Sequence, residues 1–226
     1  MKYSSIYLSI LALATLFSVG CEYDNFEAPK STLSGTIIYE GNPVSVRTDG
    51  TRLQLWEDGH ELRTPMDVFI DHEGHFSASL FDGTYKLVTN GDAPWLPRNL
   101  DTVEVTVRGN TVVDIPVTPY FVLDNESFTA TGTTLNAQFS IRRVVPNANV
   151  SRVALYVGHS ILTDQGRFEH RVEMDAATIQ VGQPLSMSTT LPASLANLDY
   201  VFVRVGVLSN LSGEYYYSNV QRVNLP

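Results

Sequence analysis

In Thr102-Val103-Glu104-Val105-Thr106-Val107, the valines occupy every second position. Because successive side chains of a β-strand point to opposite faces, this alternation predicts a strand with one buried face and one face that carries threonine and glutamate to solvent. The same period of two returns in Leu135-Asn136-Ala137-Gln138-Phe139-Ser140-Ile141 and in Val201-Phe202-Val203-Arg204-Val205-Gly206-Val207. Strands of this kind bury one face of a sheet against a second sheet, so they indicate a β-sandwich.

Short runs of this type fill the chain from Leu33 onward, with hardly any segment of helical period. Glycine, proline, asparagine and aspartate separate the runs, which is the composition of turns between strands. We therefore predict an all-β fold. The predicted strands of the first half are 33–40, 52–57, 75–80, 84–89, 101–107 and 112–117. Those of the second half are 128–130, 135–144, 151–158, 168–174, 185–190, 201–208 and 215–224.

A domain boundary is predicted where Pro116 and Pro119 bracket Val117-Thr118. We expect one β-sandwich over residues 32–118 and a second over residues 119–226. At about 100 residues each, both are long enough to bury a hydrophobic core. The chain has one cysteine, so neither domain can contain an internal disulfide and each must be held by its own core.

Short motifs in the two halves resemble known modules. Leu33-Ser34-Gly35-Thr36-Ile37, Gly74-His75-Phe76 and Asp82-Gly83-Thr84-Tyr85 resemble the transthyretin-like modules that are also called carboxypeptidase regulatory-like domains. Tyr200-Val201-Phe202-Val203-Arg204-Val205, followed by Tyr217-Ser218-Asn219-Val220, resembles the closing hairpin of a fibronectin type III domain. The resemblances imply a transthyretin-like sandwich followed by an immunoglobulin-like or fibronectin-like one.

The N-terminus has the features of an export signal. Lys2 supplies a positive charge, Ile6 to Val19 is apolar, and small residues precede Cys21. The apolar stretch is shorter than the roughly 20 residues needed to span a bilayer. We predict a signal peptide over residues 1–20. Its end resembles a bacterial lipoprotein signal, which implies that Cys21 carries acyl chains. The alternative is an ordinary secretory signal with an incidental cysteine.

Residues 21–31 are acidic and lack an apolar period, so we expect a flexible tether. Acidic residues directly after the cysteine resemble the surface-export signal of Bacteroidota lipoproteins. This resemblance implies an outer-membrane protein that is held by its lipid and faces outward from the cell. The formal net charge of −9 would repel polyphosphates, so nucleic acid is not an expected partner.

No motif for catalysis or for a cofactor emerges from the sequence. The histidines of His72-Glu73-Gly74-His75 are three positions apart around a glycine turn, whereas a zinc-binding helix places its pair four apart on one face. Ser160 follows His159 directly, and neighbours on a strand point to opposite faces. The chain has no Gly-x-Ser-x-Gly elbow. We expect a non-catalytic protein that contains neither a metal site nor a cofactor. A structural calcium held by carboxylates among Asp67, Asp71, Glu73 and Asp82 is the alternative, although their spacing is not that of a known calcium loop.

The residues that suggest ligand binding are aromatic side chains. Trp95 lies in a loop of Gly, Asp and Pro, where no strand alternation accounts for a large apolar side chain. We therefore predict that Trp95 contacts a ligand. The alternative is a tryptophan that folds back to plug the end of the sandwich. Trp56 shares a strand face with Gln54 and is a second candidate, with a core or interdomain role as its alternative. Polar partners near Trp95 are Asp92, Arg98 and Asn99.

The whole chain after the signal resembles an uncharacterised family of two-domain Bacteroidota lipoproteins. The motifs that carry the resemblance are Asn90-Gly91-Asp92-Ala93-Pro94-Trp95, Val117-Thr118-Pro119-Tyr120-Phe121 and Tyr217-Ser218-Asn219-Val220. Members are commonly encoded beside SusC-like transporters and SusD-like glycan-binding lipoproteins, which implies a role in capturing polysaccharide. Two alternatives stay open: a structural spacer or docking protein in an outer-membrane complex, and a component of an adhesive or pilus-like assembly.

Overall fold

The computed structural model describes residues 27–57, 64–97 and 102–226, and its fold is all-β, as predicted. The strands of the first domain are β1 (Ser31–Tyr39), β2 (Asn42–Pro43), β3 (Arg52–Glu57), β4 (Met66–Phe69), β5 (His75–Leu80), β6 (Gly83–Asn90), β7 (Val103–Val107), β8 (Asn110–Val112) and β9 (Ile115–Pro116). In one sheet, β1 pairs antiparallel with β2 and β5 and parallel with β8 and β9. The other sheet is antiparallel in the order β4-β3-β6-β7.

The second domain has the strands β10 (Phe121–Thr131), β11 (Thr134–Arg143), β12 (Val150–Gly158), β13 (His170–Glu173), β14 (Pro184–Thr190), β15 (Tyr200–Ser209), β16 (Tyr215–Tyr217) and β17 (Gln221–Asn224). One sheet has the order β10-β11-β14. In the other, β12 lies between β13 and β15, and β15 pairs with β16 at one end and β17 at the other. A 3-10 turn (Ala176–Thr178) and a short helix α1 (Ala193–Ala196) complete the domain.

Each domain is a sandwich of two sheets around its own hydrophobic core. In the first, the fully buried side chains include Leu33, Ile37 and Leu53. In the second, Leu135 and Val203 belong to a separate cluster. Inward and outward side chains alternate along β1 and β11, as the period of two requires. Burial of these apolar faces is the main driving force for both domains.

The two domains contact each other along the segment from Ser45 to Arg47. The backbone N–H of Tyr217 donates to the carbonyl of Ser45 at 3.2 Å. Arg47 forms a two-bond ion pair with Glu214, with Nη2 to Oε1 at 2.6 Å and Nε to Oε2 at 3.2 Å. Hydrogen bonds therefore connect the first domain to the β15–β16 region of the second.

The strand predictions differ from the structure mainly in the short elements. The strand β4 was not predicted, because four residues are too few for an alternation to stand out. The strand β10 starts at Phe121 and not at residue 128, since its first three residues are all buried and do not alternate.

Within the described ranges, neither helix has the length and apolar character that crossing a bilayer requires.

Candidate functional site

Trp95 is placed inward by the loop that follows β6. Gly91 has a φ of 84°, a conformation that favours glycine, and it turns the chain back toward the sandwich. The backbone N–H of Leu96 then donates to the carbonyl of Thr118 at 2.9 Å, and that of Tyr120 to the carbonyl of Pro94 at 3.0 Å. These bonds hold the loop against the start of the second domain, with Trp95 between them.

The indole of Trp95 is 2% exposed and belongs to the core of the first domain. An aromatic ring that stacks on a sugar must present its face to solvent, so the prediction of Trp95 as a contact residue is corrected. The structure agrees with the alternative, a loop tryptophan that closes the end of the sandwich. Its large apolar surface explains this position, because burying such a ring contributes about 1.5–3 kcal/mol or more to stability.

Asp92 acts as a link between the domains. Its carboxylate accepts hydrogen bonds from the Ser212 hydroxyl at 2.7 Å, from the backbone N–H of Ala93 at 2.9 Å, and from the backbone N–H of Gly213. The side chain is thus already engaged in holding the loop that precedes β16. The predicted partners Arg98 and Asn99 lie outside the described residues, as does Cys21.

A cavity of about 330 Å³ lies beside this loop. Its lining residues are Thr89, Gly91, Asp92, Ala93, Trp95, Pro97, Tyr120 and Leu211. Leu96 and Leu211 expose their side chains nearby, although both are apolar. The structure therefore brings Asp92 and Trp95 together at one cavity, as neighbours in the wall and not as a stacking site.

Trp56 lies on a different surface. It is half-buried on the outer face of the β4-β3-β6-β7 sheet, on the same side as Arg52 and Gln54, as the period of two predicts. Arg52 pairs in register with Phe69 of β4, so these two side chains share that face. Phe69 is 54% exposed. We call the surface formed by Arg52, Gln54, Trp56, Asp67 and Phe69 the aromatic platform.

Hydrogen bonds fix the polar side chains of the aromatic platform. The Arg52 guanidinium carbon lies 4.8 Å from the centre of the Phe69 ring. Nη1 of Arg52 donates to Oδ2 of Asp67 at 3.2 Å, and Nε2 of Gln54 donates to Oδ1 of Asp67 at 3.1 Å. A cation over the ring face and a shared carboxylate hold these groups in place. The platform therefore combines two aromatic side chains with a preorganised set of donors and acceptors.

Phe69 was missed at the sequence level, since β4 was not predicted. The available signal was the pattern Met66-Asp67-Val68-Phe69, in which the buried Val68 separates two outward side chains. Register with β3 is what places Phe69 beside Arg52, and this pairing joins residues 17 positions apart. Trp56 and Phe69 are four strand positions apart on this face, which corresponds to about 13 Å.

A second cavity, of about 220 Å³, lies in the cleft between the domains. Arg142 occupies it with bonds to Glu40 and Asp124, and the hydrogen bond from Arg142 holds the pKa of Glu40 below its usual value. Glu126 also lines the cleft, and burial, together with the nearby Asp124 carboxylate, raises its pKa.

Within the described residues, no group of three His, Cys, Asp or Glu side chains has an arrangement that could hold a metal ion.

The geometry defines a class of protein: two β-sandwiches joined by a hydrogen-bonded interface, with an aromatic platform on the first. Residues 31–118 match the family model described as "Protein of unknown function (DUF3823) N-terminal domain", and residues 121–222 match "Domain of unknown function (DUF3823_C)". The chain belongs to the DUF3823 family. No curated protein matches it.

Solved structures share this fold. A DUF3823 family protein from Bacteroides ovatus is 43% identical, with a TM-score of 0.83 over 87% of this chain and 100% of the other. One from Parabacteroides merdae is 35% identical, with a TM-score of 0.80 over 88% and 100%. A protein from Bacteroides uniformis that is provisionally named a carbohydrate binding protein is 18% identical, with a TM-score of 0.73 over 87% and 100%.

Proposed function

We propose that this protein is a non-catalytic surface lipoprotein that captures a glycan for a SusC/SusD-type uptake system. The observation that carries the proposal is the aromatic platform, on which Trp56 and Phe69 flank Arg52, Gln54 and Asp67. Aromatic faces attract the weakly positive C–H groups of sugar rings, and the amide and charged groups bind hydroxyls. The provisional name of the Bacteroides uniformis relative adds support, although at 18% identity it shares the fold alone.

The location and the partners are part of this proposal. Acyl chains on Cys21 would hold the protein on the outer membrane, and the acidic tether would let the sandwiches reach a SusC/SusD-like complex. The transthyretin-like and fibronectin-like subtypes of the two sandwiches also stay predictions. Mass spectrometry of the native protein tests the anchor directly: an unacylated N-terminus at Cys21 would contradict it.

A fluorescence titration tests the platform. The chain has two tryptophans, so the variant Trp95→Phe leaves Trp56 as the sole reporter while it keeps an aromatic ring in the core. A panel of soluble plant and host oligosaccharides is titrated into this variant. We expect one class of glycan to change the emission of Trp56 at saturable concentrations. The variant Trp56→Ala should lose at least tenfold in affinity by calorimetry, since one stacking ring is removed.

The matched control is Leu211→Ala, a truncation of an exposed apolar side chain in the second domain. It should bind the same glycan as tightly as the unaltered protein. If no glycan in the panel binds, or if Trp56→Ala binds as tightly as the unaltered protein, the platform is not the capture site.

A docking role is the second candidate, and the exposed Leu96 and Leu211 favour it. Leu211 lines the cavity beside Trp95, and Leu96 directly follows Trp95 in the chain, so together they would give a partner protein apolar surface to contact. Purification of the lipidated protein in mild detergent would separate the two functions. A stable complex with a transporter in the absence of any glycan affinity would favour docking.

A further inference from the structure

On the outer face of the β10-β11-β14 sheet, the part formed by residues 127–131, 134–138 and 186–190 carries only uncharged polar side chains, whereas Asp124 and Arg142 form an ion pair at the other end of the same face. Strand register sets the uncharged side chains in three rows, each with one residue from β10, one from β11 and one from β14. The rows are Ser127, Gln138 and Ser186; Thr129, Asn136 and Ser188; and Thr131, Thr134 and Thr190. We call these nine residues the neutral polar face. Six of the nine are exposed on the two outer strands, and Gln138 is exposed at the centre.

The absence of charge on this face contrasts with other surfaces of the protein. The outer face of β3 and β4 carries Arg52 and Asp67, and β12 and β13 carry Arg152 and Glu173. Charged side chains on solvated sheets keep edge strands from pairing with other chains. The neutral polar face has no such charged side chains and presents only hydroxyl and amide donors and acceptors to solvent.

A cavity of about 550 Å³ adjoins one end of the neutral polar face. Asn125, which lies in the β-bulge between Asp124 and Ser127 and has the left-handed conformation at a φ of 60°, lines this cavity. The lining residues are Asn125, Gln138, Phe139, Ser140, Gly182, Pro184, Leu185 and Ser186. This volume falls within the range of about 300–1,000 Å³ that is usual for ligand sites.

Some groups in the cavity are fixed and others are free to bind. Nδ2 of Asn125 donates to Oγ of Ser140 at 3.3 Å, and the Ser140 hydroxyl donates to the carbonyl of Asp124 at 3.2 Å. In the part of the chain that the structure describes, the side chains of Gln138 and Ser186 have no hydrogen-bond partner. Both side chains are exposed, so their amide and hydroxyl groups are available to donate hydrogen bonds to a ligand and to accept them from it.

We infer that the neutral polar face and its cavity are a second binding site, for an uncharged hydroxyl-rich oligosaccharide. Charged side chains make the strongest hydrogen bonds to a ligand of opposite charge, and the nine side chains of the face include none, so the face favours an uncharged ligand. Sugar hydroxyls match paired amide and hydroxyl groups. The choice of ligand class rests on the proposed function, whereas the position of the site is independent of the aromatic platform.

The dimensions of the face indicate a ligand of several sugars. Neighbouring strands are about 4.8 Å apart, and side chains on one face of a strand repeat about every 6.6 Å. The three rows thus form a grid of roughly 10 by 13 Å. A single sugar would engage one row, so affinity should increase with chain length from the monosaccharide to the hexasaccharide.

Nuclear magnetic resonance of the ¹⁵N-labelled protein without its signal peptide tests the inference. The probes are glucose, maltohexaose, cellohexaose, xylohexaose and mannohexaose. We expect one hexasaccharide to shift the amide signals of Gln138 and Ser186 and glucose to shift them little. The variant Gln138→Ala should weaken binding about fivefold, the usual effect of one lost hydrogen bond. Ser186→Glu should weaken it further, because a bare carboxylate must be desolvated.

Ser151→Glu is the matched control, since Ser151 is an exposed strand serine on the opposite sheet. It should leave binding unchanged. Trp56→Ala should leave the shifts at Gln138 intact, and this separates the site from the platform. A hexasaccharide that perturbs Trp56 but not the neutral polar face would overturn the inference and spare the proposed function. Shifts along β14 that grow with protein concentration in the absence of sugar would also overturn it, in favour of pairing between two copies.

Discussion

The guanidinium carbon of Arg204 lies 4.1 Å from the centre of the Tyr217 ring, inside the second domain at its contact with the first. Nη1 of Arg204 donates to the carbonyl of Val46 at 3.3 Å, and Nη2 donates to that of Ser218 at 3.1 Å. Arg204 is fully buried, and desolvation lowers its pKa to about 10. The ring and the two carbonyls replace water around this charge and connect it to both domains.

Arg204→Ala should lower the free energy of unfolding by about 3 kcal/mol. The change leaves a cavity and removes the donors of two buried carbonyls. Arg222→Ala is the matched control, because Arg222 also lies over a tyrosine ring, 3.8 Å from that of Tyr200, but is exposed. Urea denaturation followed by circular dichroism measures both. If both variants lose the same free energy of unfolding, the burial of Arg204 does not account for its contribution to stability.

The ion pair of Arg47 and Glu214 should stabilise the interface measurably. Their side chains are 26% and 12% exposed, and two bonds join them. A double-mutant cycle with Arg47→Ala and Glu214→Ala should give a coupling free energy of about 1.5 kcal/mol, as for hydrogen bonds between charged groups. The same cycle on Lys30 and Glu27, which are 76% and 79% exposed, should give no measurable coupling. Coupling that is the same for both pairs would contradict the prediction.

Alkaline pH should destabilise the protein through buried tyrosines. Burial raises the pKa of Tyr216 to about 12, from an ordinary value of 10.0. Between these values, the unfolded chain releases a proton that the folded chain keeps. The stabilisation is therefore complete below pH 10 and is lost as the pH rises toward 12. Urea denaturation from pH 9 to 11.5 should show the free energy of unfolding decreasing with pH. In the variant Tyr216→Phe, this decrease per pH unit should be smaller. If the free energy of unfolding decreases with pH equally steeply in the variant, ionisation of Tyr216 does not cause the alkaline destabilisation.

Asp92→Ala should affect stability more than glycan binding. Its carboxylate accepts from Ser212 and from the backbone of Ala93 and Gly213, so the loss should be about 1 kcal/mol in the free energy of unfolding. Asp199→Ala, at an exposed position, is the control and should have little effect. Calorimetry with the glycan bound by the unaltered protein should give the same affinity for both variants. A large loss of affinity in Asp92→Ala would restore this residue to the ligand site.

The strand predictions succeeded where alternation is long. In β11, a run of seven alternating residues identifies the buried face without any knowledge of the partner strand. In β15, the same period identifies the four valines that face the core, but Arg204 and Gly206 on the other face are buried as well. The short β4 and the non-alternating start of β10 could not be recognised in this way. Their positions depend on pairing with β3 and β11, and such pairing is not visible in a local pattern.

The site predictions depended on whether an aromatic ring faces solvent. For Trp56 the strand period was sufficient, because it placed the ring on the face of Gln54. For Trp95 it was not, because a loop has no period and the direction of its side chains is set by what the loop packs against. Composition alone gave no indication that nine polar side chains from three strands would form one uncharged face.

The amino-acid pattern was thus enough to specify two thiol-free β-sandwiches in series, since in the long strands the side chains that face the core follow from the alternation of the strand's own sequence. The tertiary structure determined which side chains from distant parts of the chain lie together. It turned Trp95 into the core, set Phe69 beside Arg52, and aligned residues 127–131, 134–138 and 186–190 as neighbours. Those relationships join distant parts of the chain, and they form because the assembled core, not any local stretch, determines which pairing buries the most apolar surface.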